Sequence, residues 1–247
     1  MKDIIIVYQM GKVGSTFITK SVRGSKSVHV LYGGPLCPPL RNYSKKRTWT
    51  KFYANKVIAR IKLMLAKRVK VVCLVREPVA RNISMFFQNF PFWYLAHYDN
   101  SSYIVAKSHK KNLIENIFMQ EFNHEYGINW VDRELSKLIK QDVYKIDFDR
   151  ECGFSVFNVG KYDVFLARYE SINTKSLRGE LQRFVNQEIN FEKINDGSQK
   201  WYSDLYKKFQ LEFSPPSEYI DKLYGSKFCK HFYTQKELDA FRKKYIG

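Results

Sequence analysis

The sequence predicts an α/β fold, a central parallel β-sheet flanked by helices on both faces, built as one domain over residues 1–247. Three observations carry that expectation. Short runs rich in Val, Ile, Phe and Tyr lie at 3–8, 27–32, 70–75, 143–147 and 163–168, with the length and composition of buried strands. Segments with apolar residues at three- and four-residue steps, at 51–67, 113–122 and 130–140, fall between most of them. Two turns suited to anions follow strands directly, after Tyr8 and after Val75, where open parallel sheets bind their ligands.

Taken in order, the strand at 3–8 runs into Tyr8-Gln9-Met10-Gly11-Lys12-Val13-Gly14-Ser15-Thr16, and a helix-compatible segment, 17–22, follows. Strand, glycine turn and helix start make a phosphate trap, because the turn's N–H groups and the positive helix end converge on an anion. Gly11 and Gly14 permit the tight backbone, and Ser15 and Thr16 add hydroxyl donors. The strand at 27–32 carries His29. Residues 33–49 hold Gly33-Gly34-Pro35, Cys37-Pro38-Pro39 and Lys45-Lys46-Arg47 and read as irregular, as does the aromatic, turn-rich stretch 90–103. Each is either a packed surface loop or a wall that binds an acceptor, since exposed aromatics stack on sugar faces. In the second stretch Trp93, Tyr94 and His97 are the candidate substrate contacts. Asp132 is a candidate cap for the helix at 130–140.

The spacing of the first turn distinguishes it from the ATP-binding loop, G-x-x-x-x-G-K-[ST]. Here the lysine precedes the second glycine, as Lys12-Val13-Gly14-Ser15-Thr16. That order resembles the 5′-phosphosulfate loop of sulfotransferases that use 3′-phosphoadenosine 5′-phosphosulfate (PAPS). A second segment strengthens the likeness: the run 70–75 ends at Arg76-Glu77-Pro78, with Ser84 eight residues beyond the arginine. Sulfotransferases carry a strand ending in R-[DE]-P with a serine at that distance. Tyr169-Glu170-Ser171-Ile172, after the run 163–168, is similar to their Y-E-D-L segment. Gln199-Lys200-Trp201-Tyr202-Ser203 and His231-Phe232-Tyr233-Thr234 resemble a bacterial group of capsular polysaccharide synthesis proteins named for an N-K-W-Y-S motif, with Gln199 in place of its asparagine. The likeness thus spans residues 4–245.

This resemblance implies a P-loop-like sulfotransferase fold and transfer of a sulfonate from PAPS to a hydroxyl of a carbohydrate or polysaccharide, with 3′-phosphoadenosine 5′-phosphate (PAP) as product. Gly11, Lys12, Val13, Gly14, Ser15 and Thr16 would then hold the 5′-phosphosulfate, and Arg76 with Ser84 the 3′-phosphate. A guanidinium fork fixed at a strand end suits a bidentate phosphate. Lys12 is placed to donate to the departing bridging oxygen, so fixed cations and amides supply the compensating charge and no metal is expected. His29 is the first choice for the base that takes the acceptor proton, with His97 and Glu77 as fallbacks. Lys200 and Trp201 could reach the nucleotide, but no R-K-G triplet occurs, and Trp201, Tyr202, Leu205, Tyr206 and Phe209 read more simply as a helix's apolar face.

Composition sets the outer bounds. The chain is 45% hydrophobic, outside the disordered range, and its net charge of +18 describes either a solvated lysine-rich surface or a chain that steers anions. No run of eighteen apolar residues suggests a membrane span, and the N-terminus lacks the pattern of a leader peptide. Four dispersed cysteines without a C-x-x-C pair suit a reduced, cytoplasmic protein. Two other readings stay open: a P-loop nucleotide-dependent kinase, against which the missing lysine beside Ser15 speaks, and a non-catalytic basic module for nucleic acid or polyanions. Nucleic acid is disfavoured because no dense basic tract or RNA-binding signature occurs.

Overall fold

A computed structural model describes residues 4–34, 46–90, 110–191 and 202–246. Its centre is a five-stranded sheet of order β2-β1-β3-β5-β4, from β1 (Ile4–Tyr8), β2 (Lys26–Val28), β3 (Val69–Val75), β4 (Phe154–Val159) and β5 (Tyr162–Arg168). The first three strands and β5 are parallel, and β4 is an antiparallel edge. β3 sits in the middle, pairing Ile4–Val7 of β1 through Val69–Val72 and all of β5 through Val69–Val75. Its V-K-V-V-C-L-V sequence is apolar throughout except for Lys70, whose ammonium reaches the Phe184 carbonyl at 2.6 Å. A continuous apolar run is what a strand buried on both faces requires.

The helices flanking the sheet are α1 (Ser15–Ser21), α2 (Lys46–Leu65), α3 (Pro78–Gln88), α4 (Lys110–Glu121), α5 (Tyr126–Trp130), α6 (Lys137–Ile139), α7 (Lys175–Val185), α8 (Ser203–Glu212), α9 (Ser217–Tyr224), α10 (Lys227–Phe232) and α11 (Gln235–Ile246). A π-helical stretch, Val131–Ser136, joins α5 to α6. The architecture is that of a P-loop-like α/β fold, as the sequence predicts. From β1 the chain returns through α1 to β2, whereas from β3 it goes on through α3 toward β5. Right-handed crossovers in opposite directions along a sheet leave on opposite faces. The carboxyl ends of β1 and β3 therefore border the crevice where such sheets bind ligands.

α3 is anchored by sequence and by packing. Glu77 caps it, accepting from the N–H groups of Val79 (2.6 Å) and Ala80 (2.7 Å), with Pro78 in its first turn. Phe86 and Phe87 then pack on Phe118 of α4 and Phe209 of α8, with ring centroids 5.2 and 5.3 Å apart. Tyr206 joins that cluster at 5.4 Å from Phe87, so α8 spends its aromatic face on the core; Lys200 and Trp201 lie outside the described residues.

Several expected elements change. Residues 143–147 form a 3₁₀ turn, Val143–Lys145, because the Asp142 carboxylate accepts from Tyr144 N–H and closes a local turn instead of leaving the backbone to a ladder. The fifth strand is instead β4, joined to β5 by the two-residue turn Gly160-Lys161 with Gly160 at φ 57°. β2 ends at Val28, four residues before the expected end. Asp132 caps nothing; it lies in the π-helical stretch and pairs with Lys227 at 2.7 Å. α2 begins at Lys46, inside the segment read as irregular. Among the described residues no helix is long and apolar enough to cross a membrane.

Candidate functional site

After Tyr8 the backbone turns through left-handed conformations at Gly11 (φ 80°), Lys12 (φ 62°) and Gly14 (φ 83°) before α1 begins. Left-handed geometry is free for glycine and costs about 1 kcal/mol or more at Lys12, a cost usually kept for function. Glycine is required at 14 for a second reason: a Cβ there would stand 2.9 Å from the Tyr169 ring. Successive left- and right-handed residues point amide N–H groups into one concavity. Those of Gly11, Val13 and Gly14 make no hydrogen bond to the described residues. α1 is only seven residues long, so the loop amides outweigh its dipole as an anion trap.

Arg76, at the end of β3, donates from Nη1 to the Lys12 carbonyl at 2.9 Å, and its guanidinium lies 4.8 Å over the Tyr169 ring. The glycine loop, the R-E-P corner and the residue after β5 thus meet at one point. A further guanidinium reaches the same loop. Arg81 is 1% exposed, donates from Nη2 to the Met10 carbonyl (3.0 Å) and from Nη1 to Asn82 Oδ1 (3.0 Å), and lies 5.2 Å over the Tyr126 ring. Among the described residues no carboxylate pairs with it. Burial, with a smaller push from nearby Arg76, lowers its pKa to about 10. Ser84 is half-buried two turns into α3; no hydrogen bond joins it to Arg76, but at i+3 from Arg81 it shares that residue's helix face.

His29 lies just past the end of β2, beside the start of the loop. Its Nδ1 is 3.1 Å from the Gln9 carbonyl, its Nε2 3.5 Å from Ser27 Oγ, and its own carbonyl accepts from Trp130 Nε1 at 2.9 Å. A carbonyl can only accept, so in the neutral ring the hydrogen sits on Nδ1 and the lone pair on Nε2, the tautomer a general base needs. Gln9 is fully buried, and neither its amide oxygen nor its nitrogen has a partner among the described residues. Buried side-chain amides are seldom left without one.

The corner is braced from the C-terminal part of the chain. The Glu77 carboxylate, 3% exposed and held above its usual pKa by burial, accepts from Tyr224 (2.9 Å) and Tyr245 (3.4 Å) besides capping α3. It is a structural cap, so it is withdrawn as a fallback base. Glu170 accepts from the Glu77 N–H at 2.9 Å and from Tyr233 at 3.2 Å. Arg168, 4% exposed, pairs with Glu237 at 2.6 Å and lies 5.4 Å over the Tyr233 ring. A family model described as putative capsular polysaccharide synthesis protein matches residues 104–234, just over half of the chain. The chain belongs to this family. Neither a curated protein nor a solved structure matches it.

The span shared with the capsular polysaccharide synthesis family starts beyond the glycine loop and Arg76, and supplies much of what holds them: Tyr169, Glu170, Tyr224, Tyr233 and Glu134. Glu134, in the π-helical stretch, is 2% exposed and accepts from the Tyr8 hydroxyl and from the N–H groups of Leu31 (2.7 Å), Tyr32 (3.0 Å) and Gly33 (2.5 Å). It ties the end of β1 to the segment following His29, and π-helical turns recur at functional sites. Sequence reasoning missed Gln9, Arg81 and Glu134. A charged Arg81 inside the apolar run of α3 was the one available signal; the other two are defined by partners distant in sequence. Trp93, Tyr94 and His97 lie outside the described residues. Two open clefts, one lined by Phe148, Asp149 and Arg150 and one by Phe122, Tyr219 and Lys222, include no residue of the loop.

Proposed function

We propose that this protein is a PAPS-dependent sulfotransferase acting on a carbohydrate hydroxyl, within the capsular polysaccharide synthesis family. The observation that carries the reading is the meeting of the left-handed glycine loop with Arg76 through the Lys12 carbonyl. The two segments read as phosphate-binding, 64 residues apart in sequence, share one corner at the carboxyl edge of the sheet. The residues fit the donor: amides without acceptors suit the 5′-phosphosulfate, and Arg76, with Ser84 farther along α3, suits the 3′-phosphate. The unpartnered Gln9 amide adds a buried polar group beside the same loop.

When bound, PAPS would supply the transferable sulfonate. The chain's part is to orient and to move one proton. His29 Nε2 would accept the proton of the acceptor hydroxyl, while Nδ1–H stays fixed on the Gln9 carbonyl. Lys12 would donate to the bridging oxygen, which departs with the electron pair of the broken sulfur–oxygen bond, while the acceptor oxygen bonds to sulfur. The sugar acceptor rests on the family description and on the aromatic composition of 90–103.

Isothermal titration with PAP, adenosine 5′-phosphate and ATP tests this reading. PAP should bind more tightly than adenosine 5′-phosphate by roughly 2–4 kcal/mol, from charge-assisted contacts to the 3′-phosphate. Arg76→Ala should remove most of that difference. Equal affinity for the two nucleotides would refute the assignment, and a preference for ATP would favour the kinase reading.

A further inference from the structure

Apolar exposure on this protein is concentrated on one helix. Of nine large hydrophobic side chains exposed among the described residues, six belong to α2: Tyr53, Val57, Ile58, Ile61, Met64 and Leu65, each 45–68% exposed. Over residues 53–65, at 100° per residue, they fall in a continuous arc of about 140°, which Ala54 completes; Thr50, one turn earlier, carries a hydroxyl into the same arc. The opposite side of α2, with Phe52, Ala59 and buried Leu63, faces the body of the protein. α2 therefore has two apolar faces, and among the described residues Val57, Ile58, Ile61, Met64 and Leu65 of the outer one stay exposed.

Charge indicates what covers the other. Lys51 and Lys62 border the arc on one side and Arg60 on the other, all three exposed. The helix holds no acidic residue, and residues 4–76 carry sixteen Lys and Arg with no Asp or Glu. Nearly all of the chain's net charge of +18 is thus placed in its first third. A second copy laid on this face would oppose one cationic border to another. An apolar arc between basic margins, on a helix of about 30 Å that cannot span a bilayer, is the chemistry of a helix lying in a lipid interface. Anionic headgroups would complement the margins.

We propose that α2 docks the protein on an anionic lipid bilayer, with Tyr53, Val57, Ile61 and Met64 seated among the acyl chains and Lys51 and Lys62 at the headgroups. This inference is independent of the chemistry at the glycine loop.

The test is flotation of the full chain with vesicles of phosphatidylcholine alone and of phosphatidylcholine mixed with phosphatidylglycerol. The wild type should float with the mixed vesicles and remain behind with the neutral ones. Ile61→Glu/Met64→Glu and Lys51→Glu/Lys62→Glu should each lower partitioning at least about tenfold. All four positions are exposed, so circular dichroism and the unfolding midpoint should be unchanged. Should the acidic variants fail to fold, Met64→Trp supplies a second reading, with its fluorescence quenched by brominated acyl chains. Absence of wild-type binding to mixed vesicles would overturn the proposal. So would equal binding by Ile61→Glu/Met64→Glu, which would reduce it to diffuse charge attraction, no quenching of Met64→Trp, or a wild-type dimer that Ile61→Glu converts to monomer.

Discussion

Removing the Glu134 carboxylate should cost the fold more than almost any other single change near the site. Glu134→Ala leaves four donors without their acceptor: the Tyr8 hydroxyl and the N–H groups of Leu31, Tyr32 and Gly33. Tyr8 and Leu31 are fully buried, so each loses its partner without water to replace it, at about 1–3 kcal/mol per group. Tyr32 and Gly33 are half-buried, and water recovers most of their loss. The carboxylate's own desolvation is relieved, which trims the total to about 3–5 kcal/mol, the usual scale for breaking a buried charged network. Burial first, and then the adjacent Glu134 charge, keeps the Tyr8 phenol protonated far above neutral pH, so the donor side of the network is constant across any practical titration. Urea unfolding measures the loss, and a Tyr8→Phe/Glu134→Gln cycle isolates the pair. Amide exchange at 31–33 should accelerate in Glu134→Gln, because that one side chain accepts from all three of the segment's N–H groups. A Glu134→Ala protein within about 1 kcal/mol of wild type, with unchanged exchange at 31–33, would show that the segment is held by something else.

Two other outcomes concern the site and one a buried histidine outside it. Under the proposed function, Lys12→Ala should lower sulfonate transfer by about two to three orders of magnitude while PAP affinity by titration falls far less, because backbone amides would carry the phosphate. His29→Ala should lower turnover by roughly 10²–10⁴-fold and leave PAP binding intact; near-normal turnover would return the role to His97. His124, with Nε2 2.7 Å from the Phe118 carbonyl and Nδ1 2.9 Å from the Tyr219 hydroxyl, has its pKa pushed down to about 4, chiefly by burial. The unfolded chain, near 6.5, binds the proton first, so stability should fall as pH drops from about 6.5 to about 4, by at most about 3 kcal/mol, and His124→Gln should flatten that slope in urea titrations across the window.

What the sequence disclosed of this site was local. Gly11 and Gly14 announced a turn with special backbone geometry, and Arg76-Glu77-Pro78 announced a strand end followed by a helix start, because those signals reside in adjacent residues. β1, β3 and β5 were legible for the same reason: parallel strands buried on both faces are apolar runs. β4 was not, although Gly160 marks its turn, because an edge strand broken by Ser155 and Asn158 looks like loop composition. Residues 143–147 misled in the other direction, where an Asp142 side chain outcompeted the ladder. Glu134 was invisible for a deeper reason. Its partners lie 101 to 126 residues away, and nothing in V-D-R-E-L-S distinguishes the buried carboxylate from the half-buried Asp132 beside it.

The electrostatics of the corner have the same long-range character. A buried guanidinium is normally compensated by a carboxylate, since desolvating a cation without one is expensive. Arg168 has such a partner in Glu237; Arg81 has carbonyl and amide oxygens and an aromatic face instead. The nearest carboxylate on its own helix, Glu77, is committed to the α3 cap and to two tyrosines. Acidic groups are thus present at this corner but turned to structural use, and the glycine loop receives positive potential from Arg81 beneath it and Arg76 beside it. The amides of Gly11, Val13 and Gly14, which make no hydrogen bond to the described residues, belong to that same loop. The segment matched to the capsular polysaccharide synthesis family therefore supplies Tyr169, Glu170, Tyr224 and Tyr233 to the brace, which Glu77 upstream and Tyr245 downstream complete, while Arg76, Arg81 and the glycine loop all lie upstream of it.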